Sequence, residues 1–136
     1  MEKHLSIVNQ LAQLDELAMA IEGISEEWEL PMSLSMNLNL VLEELVTNII
    51  FYGYEDTSEH QIDIRLEKND HLIMMQIEDD AKEFNPLLMA EPNIENSIED
   101  RKIGGLGIFF VRKIMEEVTY KRDGNKNILT MTKSIE

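Results

Sequence analysis

The sequence predicts an α+β domain, a layered sandwich with helices packed on one face of a sheet. Three observations carry this. Two long stretches near the N-terminus repeat apolar residues at helical spacing, short alternating segments pair around turns after them, and a third helical stretch stands before the last pair. At 136 residues the chain suits a single domain spanning 1–136, since a chain of this size buries about two-thirds of the surface it exposes when unfolded.

The elements follow in order. Lys3 to Val8 reads as a short strand, and Asn9 to about Trp28 as a helix with Leu11, Leu14, Ala18 and Ile21 near the helical period. Pro31 breaks the pattern. Met32 to Phe51 carries Leu34, Leu38, Leu42, Leu45 and Ile49 at spacings of three and four, which predicts a well-buried second helix ending at Tyr52-Gly53-Tyr54, with Gly53 as a left-handed cap. Gln61 to Glu67 and Leu72 to Ile77 alternate around Lys68-Asn69-Asp70-His71 as a hairpin. From about Asp80 to Lys102 the chain is polar, contains Pro86 and Pro92, and is too long for a mere connector. Gly107 to Glu117 reads as a helix, and Val118 to Arg122 with Asn127 to Lys133 as strands around Asp123-Gly124.

Composition excludes several functions. Twenty-seven acidic against twelve basic residues give a net charge of −15, which repels a nucleic-acid backbone. A triphosphate would be repelled too, so a nucleotide site must recruit local donors and a cation. The chain has no cysteine, so disulfides and thiolate metal sites are out, and His4, His60 and His71 are too far apart in sequence for a local metal cluster. No run of about 18 apolar residues is read, and the start Met1-Glu2-Lys3 is unlike a secretory signal. The expectation is a cytoplasmic protein without a membrane partner.

Three motifs carry chemistry. In Glu44-Leu45-Val46-Thr47-Asn48 a spacing of four places a carboxylate and an amide on one helix face. The Asn48 carbonyl could anchor magnesium beside phosphate oxygens, and Glu44 could activate a hydroxyl; the same residues also suit a solvated helix face. The second motif runs from Ile77 to Pro86, with Asp79 and Asp80 at the end of an apolar strand, where a carboxylate can accept from an exocyclic amine of adenine. A polar strand exit is the plainer reading. The third is Gly104-Gly105-Leu106-Gly107 opening a helix, where backbone N–H groups can approach phosphate at the positive end of the helix dipole. Arg101, Lys102, Arg112 and Lys113 stand near it in sequence.

The order of these motifs resembles the ATPase superfamily of gyrase, heat-shock chaperones and histidine kinases, and within it the small anti-sigma-factor serine/threonine kinases of bacteria. Glu44 to Asn48 matches that family's N-box, Asp79 begins its first glycine box, and Gly104 to Gly107 with Ile108-Phe109-Phe110-Val111-Arg112 matches its second. The resemblance implies a helix layer on a mixed, mainly antiparallel sheet, with ATP and Mg2+ as cofactors. It implies Glu44 as general base, Asn48 as the magnesium ligand and Asp79 as the partner of the adenine amine. Ala81, Phe84, Gly104, Gly105, Leu106 and Gly107 become nucleotide-binding positions, and 87–103 becomes the ATP lid. Implied partners are an anti-sigma-factor antagonist, as phosphoryl acceptor, a sigma factor and a second copy of the chain.

One position departs from the pattern. Ala81 stands where the first box usually has glycine; if that backbone needs φ > 0, alanine costs about 1 kcal/mol and its methyl crowds the adenine pocket. The functional alternatives are therefore a kinase and a nucleotide-gated binding module with little phosphoryl transfer. A detached half of a histidine kinase fits less well, because no long helical segment carries a histidine.

Overall fold

The computed structural model of the chain describes residues 1–88 and 105–135. Its elements are β1 (Glu2–Val8), α1 (Gln13–Glu27), α2 (Met32–Tyr52), β2 (Gln61–Lys68), β3 (Leu72–Asp79), a short 3-10 turn (Pro86–Leu88), α3 (Gly105–Ile114), β4 (Glu117–Asp123) and β5 (Lys126–Ser134). The five strands form one sheet in the order β1-β2-β3-β5-β4. Each neighbouring pair is antiparallel, so a mainly antiparallel sheet is what forms, with no parallel pair among the described residues.

The period-2 pattern decides which face of the sheet meets the helices. Ile62, Ile64 and Leu66 of β2, Ile73, Met75 and Ile77 of β3, and Leu129 and Met131 of β5 are buried and form one core with Leu17, Ile21 and Ile24 of α1 and the inner side of α2. Helix α2 is long and apolar enough to cross a membrane by length and composition. Its buried side chains Leu34, Leu38, Val41, Leu42, Leu45 and Val46, however, pack in the domain's own core, and they explain much of that hydropathy.

Three local expectations change. Helix α1 begins at Gln13 rather than Asn9, because Asn9 is committed elsewhere: its N–H donates to the His60 carbonyl (3.0 Å) and its side-chain oxygen accepts from the His60 N–H (2.8 Å). Gly53 is not a left-handed cap, having φ −82° and ψ −24°. Glycine is required there by close approach instead, since a Cβ would come within 2.6 Å of the Ile49 carbonyl oxygen and 2.8 Å of the Ala81 methyl. Helix α3 starts at Gly105, two residues early, and ends at Ile114, three residues short of Glu117; Met115 caps it through its N–H to the Val111 carbonyl and is buried, and Glu117 opens β4. The left-handed turn is at Gly124, φ +61°, where only glycine adopts the angle without strain.

Candidate functional site

A cavity of about 520 Å³ opens between the C-terminal half of α2 and the ends of β3, β4 and β5. Its apolar wall comes from Leu45 and Ile49 of α2, Ile77 of β3, Ile108 of α3 and Leu129 of β5, with Tyr120, Phe84 and Pro86 at its sides. Its polar lining includes Asn48 on α2, Asp79 and Asn127 at the paired ends of β3 and β5, and Lys82 in the turn after β3.

Asp79 is buried, and its Oδ1 accepts from the Ala81 N–H at 3.0 Å and from Asn127 Nδ2 at 2.9 Å. Burial pushes its carboxyl above the ordinary carboxylate range, against the lowering effect of those two donors. Among the described residues no donor reaches Oδ2. Asn127 is a hub. Its Nδ2 also lies 2.9 Å from the Lys82 carbonyl and 3.3 Å from that of Ala81, while its Oδ1 accepts from Tyr120 OH (2.6 Å), Arg122 Nη1 (3.0 Å) and the Phe84 N–H (3.4 Å). The turn after β3 is thereby tied to the β4–β5 hairpin.

Asn48 differs from both. Its Nδ2 is buried, and among the described residues it has no hydrogen-bond partner, a state that costs about 1–3 kcal/mol if left so. Among the described residues nothing bonds its carbonyl oxygen either, so the donor chemistry fits a hard cation that takes few protein oxygens.

The sequence-derived positions fall as follows. Asn48, Asp79, Ala81 and Phe84 all line the cavity. Glu44 lies one turn before Asn48 on α2, half-buried, and is not one of the lining residues. Gly105, Leu106 and Gly107 form the first turn of α3, while Gly104, Arg101, Lys102 and the expected lid from 89 onward lie outside the described residues. Arg112 and Lys113 sit in the last turn of α3, away from the helix end where the glycines stand, and Lys113 lies over the Phe109 ring at 5.2 Å. Ala81 has no positive φ, the only such non-glycine among the described residues being Glu29. The expected backbone strain is absent, and its methyl fills the space that Gly53 leaves.

Sequence reasoning missed the Asn127 hub and a second cluster whose residues do not line the cavity. There His60 stacks on Tyr54 with ring centroids 4.0 Å apart, and its Nε2 and Nδ1 lie 2.8 Å from Asp56 Oδ1 and 3.1 Å from Asp80 Oδ2. Tyr54 OH donates to Asp80 at 3.2 Å. The hydrogen bonds of Asp56 and then Asp80 raise the His60 pKa, and those of Ser58 and His60 hold Asp56 down at about 2. Burial pushes Asp80 up, but the bonds from His60 and Tyr54 outweigh it and leave it low. Neither feature had a sequence signal beyond the acidic pair Asp79-Asp80.

A helix layer on an antiparallel sheet, with a cavity between the long helix and the strand ends, is the architecture of an ATPase domain. The chain belongs to the histidine kinase-like ATPase domain family, which matches residues 7–133, and membership implies a site for ATP. It is 25% identical over 99 residues to the serine/threonine-protein kinase BtrW of Bordetella bronchiseptica, covering 73% of this chain and 70% of that one. It is 28% identical over 89 residues to the anti-sigma F factor of Bacillus subtilis, covering 60% of this chain and 56% of that one. The crystal structure of the RsbU and RsbW domains of Rv1364c from Mycobacterium tuberculosis matches 97% of this chain with a TM-score of 0.67 at 14% identity, over 32% of its own length. The Acinetobacter baumannii histidine kinase AdeS matches with a TM-score of 0.53 at 18% identity, over 97% of this chain and 68% of its own. These two share the fold.

Proposed function

We propose that the chain is a Mg-ATP-binding serine/threonine protein kinase that phosphorylates an anti-sigma-factor antagonist and can sequester a sigma factor. The observation that carries the reading is the Asn48 side chain, whose amide has no partner among the described residues and whose carbonyl oxygen is available to a ligand, in the wall of a cavity that also holds the buried carboxylate of Asp79. The names of the Bordetella and Bacillus relatives supply the reaction and partner class.

In this reading the Asp79 carboxylate accepts from the adenine amine, Phe84 and the apolar wall cover the base, and the backbone of Gly104 to Gly107 faces the phosphates at the start of α3. Asn48 would hold magnesium through its carbonyl, and the bound ion would supply charge neutralisation to the phosphates. Glu44 accepts the proton of the substrate hydroxyl. Residues 87–103 act as the lid, the protein works in the cytoplasm, and a homodimer is its assembly.

A second reading, a nucleotide-gated binding module with little phosphoryl transfer, is favoured by one observation: Glu44 is not among the residues lining the cavity. Calorimetric titration with ATP, ADP and GTP in magnesium tests what both readings share, and ATP and ADP should bind while GTP binds much less well. Equal heats for ATP and GTP would remove Asp79 from base recognition. Incubation with radiolabelled ATP and an antagonist protein bearing an acceptor serine then separates the two, since only the kinase labels that serine.

A further inference from the structure

Helix α2 has two apolar sides, and only one is used. Opposite its buried face, positions 32, 36, 40, 43, 47 and 51 recur at spacings of four and three and so form one ridge along about 30 Å of helix. Four of the six are large and apolar: Met32 is 79% exposed, Met36 65%, Leu40 44% and Phe51 54%. Glu43 and Thr47 interrupt the ridge before Phe51, but Met32, Met36 and Leu40 make an unbroken apolar run where a surface helix ordinarily turns charge to water, and such a run marks a contact site.

The ridge beside it is acidic. On α1, opposite the buried Leu17, Ile21 and Ile24, the positions Asp15, Met19, Glu22 and Glu26 recur at four, three and four, and all are exposed. Glu27 is taken up by Lys3 at 2.9 Å. The sequence has no lysine or arginine between Lys3 and Arg65, so neither helix offers a positive side chain, and His60 in the loop after α2 is paired with Asp56 and Asp80.

From this geometry we infer that the outer face of α1 and α2 is a docking surface for a partner protein's helix that carries an apolar stripe edged by lysine or arginine. The apolar ridge takes the stripe, and the carboxylates of α1 pair with the basic edge and fix its orientation. A second copy of this chain does not suit the face, because it would lay carboxylates against carboxylates with no counter-charge. Anionic membranes and nucleic acids are repelled for the same reason. The inference goes beyond the nucleotide reading and does not rest on it, since of the ridge residues only Phe51 touches the cavity.

The test uses the full chain and two labelled synthetic peptides of about 20 residues, long enough to match α2. Both contain leucine, alanine and lysine in the same amounts. In one the leucines fall on a single helix face, and in the other the order is scrambled. Fluorescence anisotropy should show the patterned peptide binding at least about tenfold more tightly than the scrambled one. Met36→Glu, and separately Met32→Glu, should weaken it about tenfold. Added salt should weaken it too. Circular dichroism and ATP titration should be unchanged in both variants, which separates failure of this surface from failure of the nucleotide site. The inference is overturned if neither peptide binds, if the scrambled peptide binds equally, or if both variants bind as the parent does. It is also overturned if sedimentation shows a self-association, or vesicle pelleting a lipid association, that Met36→Glu abolishes.

Discussion

Asn127 donates its amide to Asp79 Oδ1 across 2.9 Å, and the two residues face each other as partners in the β3–β5 ladder. Strand register therefore fixes the cavity's carboxylate, and the hub holds the following turn in place. Replacing Asn127 with leucine keeps the volume close but leaves Tyr120 OH and the Phe84 N–H without their acceptor. We expect a loss of about 1–3 kcal/mol, read from urea unfolding, and weaker ATP binding. Stability within about half a kcal/mol of the parent would show that water replaces the hub.

The same carboxylate should trade stability for binding. Burial raises the Asp79 pKa in the folded state, so the stability it contributes is present below its unfolded pKa and is lost as pH rises through the folded value. Asp79→Asn keeps an acceptor for Ala81 and Asn127 and removes the buried charge. The variant should be the more stable at neutral pH, with the advantage shrinking as pH falls into the acidic range, while ATP affinity drops. Unfolding curves at several pH values check the first part, and an advantage that persists unchanged in acid would contradict it.

His60 gives pH dependence of the same sign from a different cause. The hydrogen bonds of Asp56, then Asp80, raise its pKa above 6.5, so its contribution is complete below 6.5 and fades as pH rises through the raised value. His60→Gln should flatten the stability profile between neutral and mildly alkaline pH. NMR titration of the imidazole measures the pKa itself, and a value at or below 6.5 would refute the account.

How much of this was legible depends on range in sequence. The spacing of Leu34, Leu38, Leu42 and Leu45 placed α2 within a residue, and the alternation of Ile62, Ile64 and Leu66 placed β2, because burial on one face writes a local period. Asp79 was legible as a carboxylate ending an apolar strand. Its partner was not: Asn127 is 48 residues away, and only the β3–β5 register brings them together. Gly53 and Ala81 show the same limit. Each was read as a question of φ, whereas the structure decides both by the contact between them, a contact that neither local window contains. The start of α1 moved for a similar reason, since Asn9 bonds His60 across the loop.

Glu44 decides between the two proposed readings. It stands one turn before Asn48 on α2, half-buried and off the cavity wall, so a role as base requires a substrate hydroxyl that approaches from the α2 side. Glu44→Gln preserves size and helix propensity while removing the proton acceptor. For a general base, ATP affinity should stay within a few-fold and the single-turnover rate with a serine-bearing antagonist protein should fall by about 100-fold or more. For a residue that only orders water or forms a solvated helix face, affinity and rate should change together or neither should change. The paired measurement is a dissociation constant for ATP and a transfer rate on the same preparations. A full transfer rate in Glu44→Gln would reject Glu44 as base, and no transfer by the unaltered protein, with ATP still changing partner affinity, would leave the nucleotide-gated module as the function.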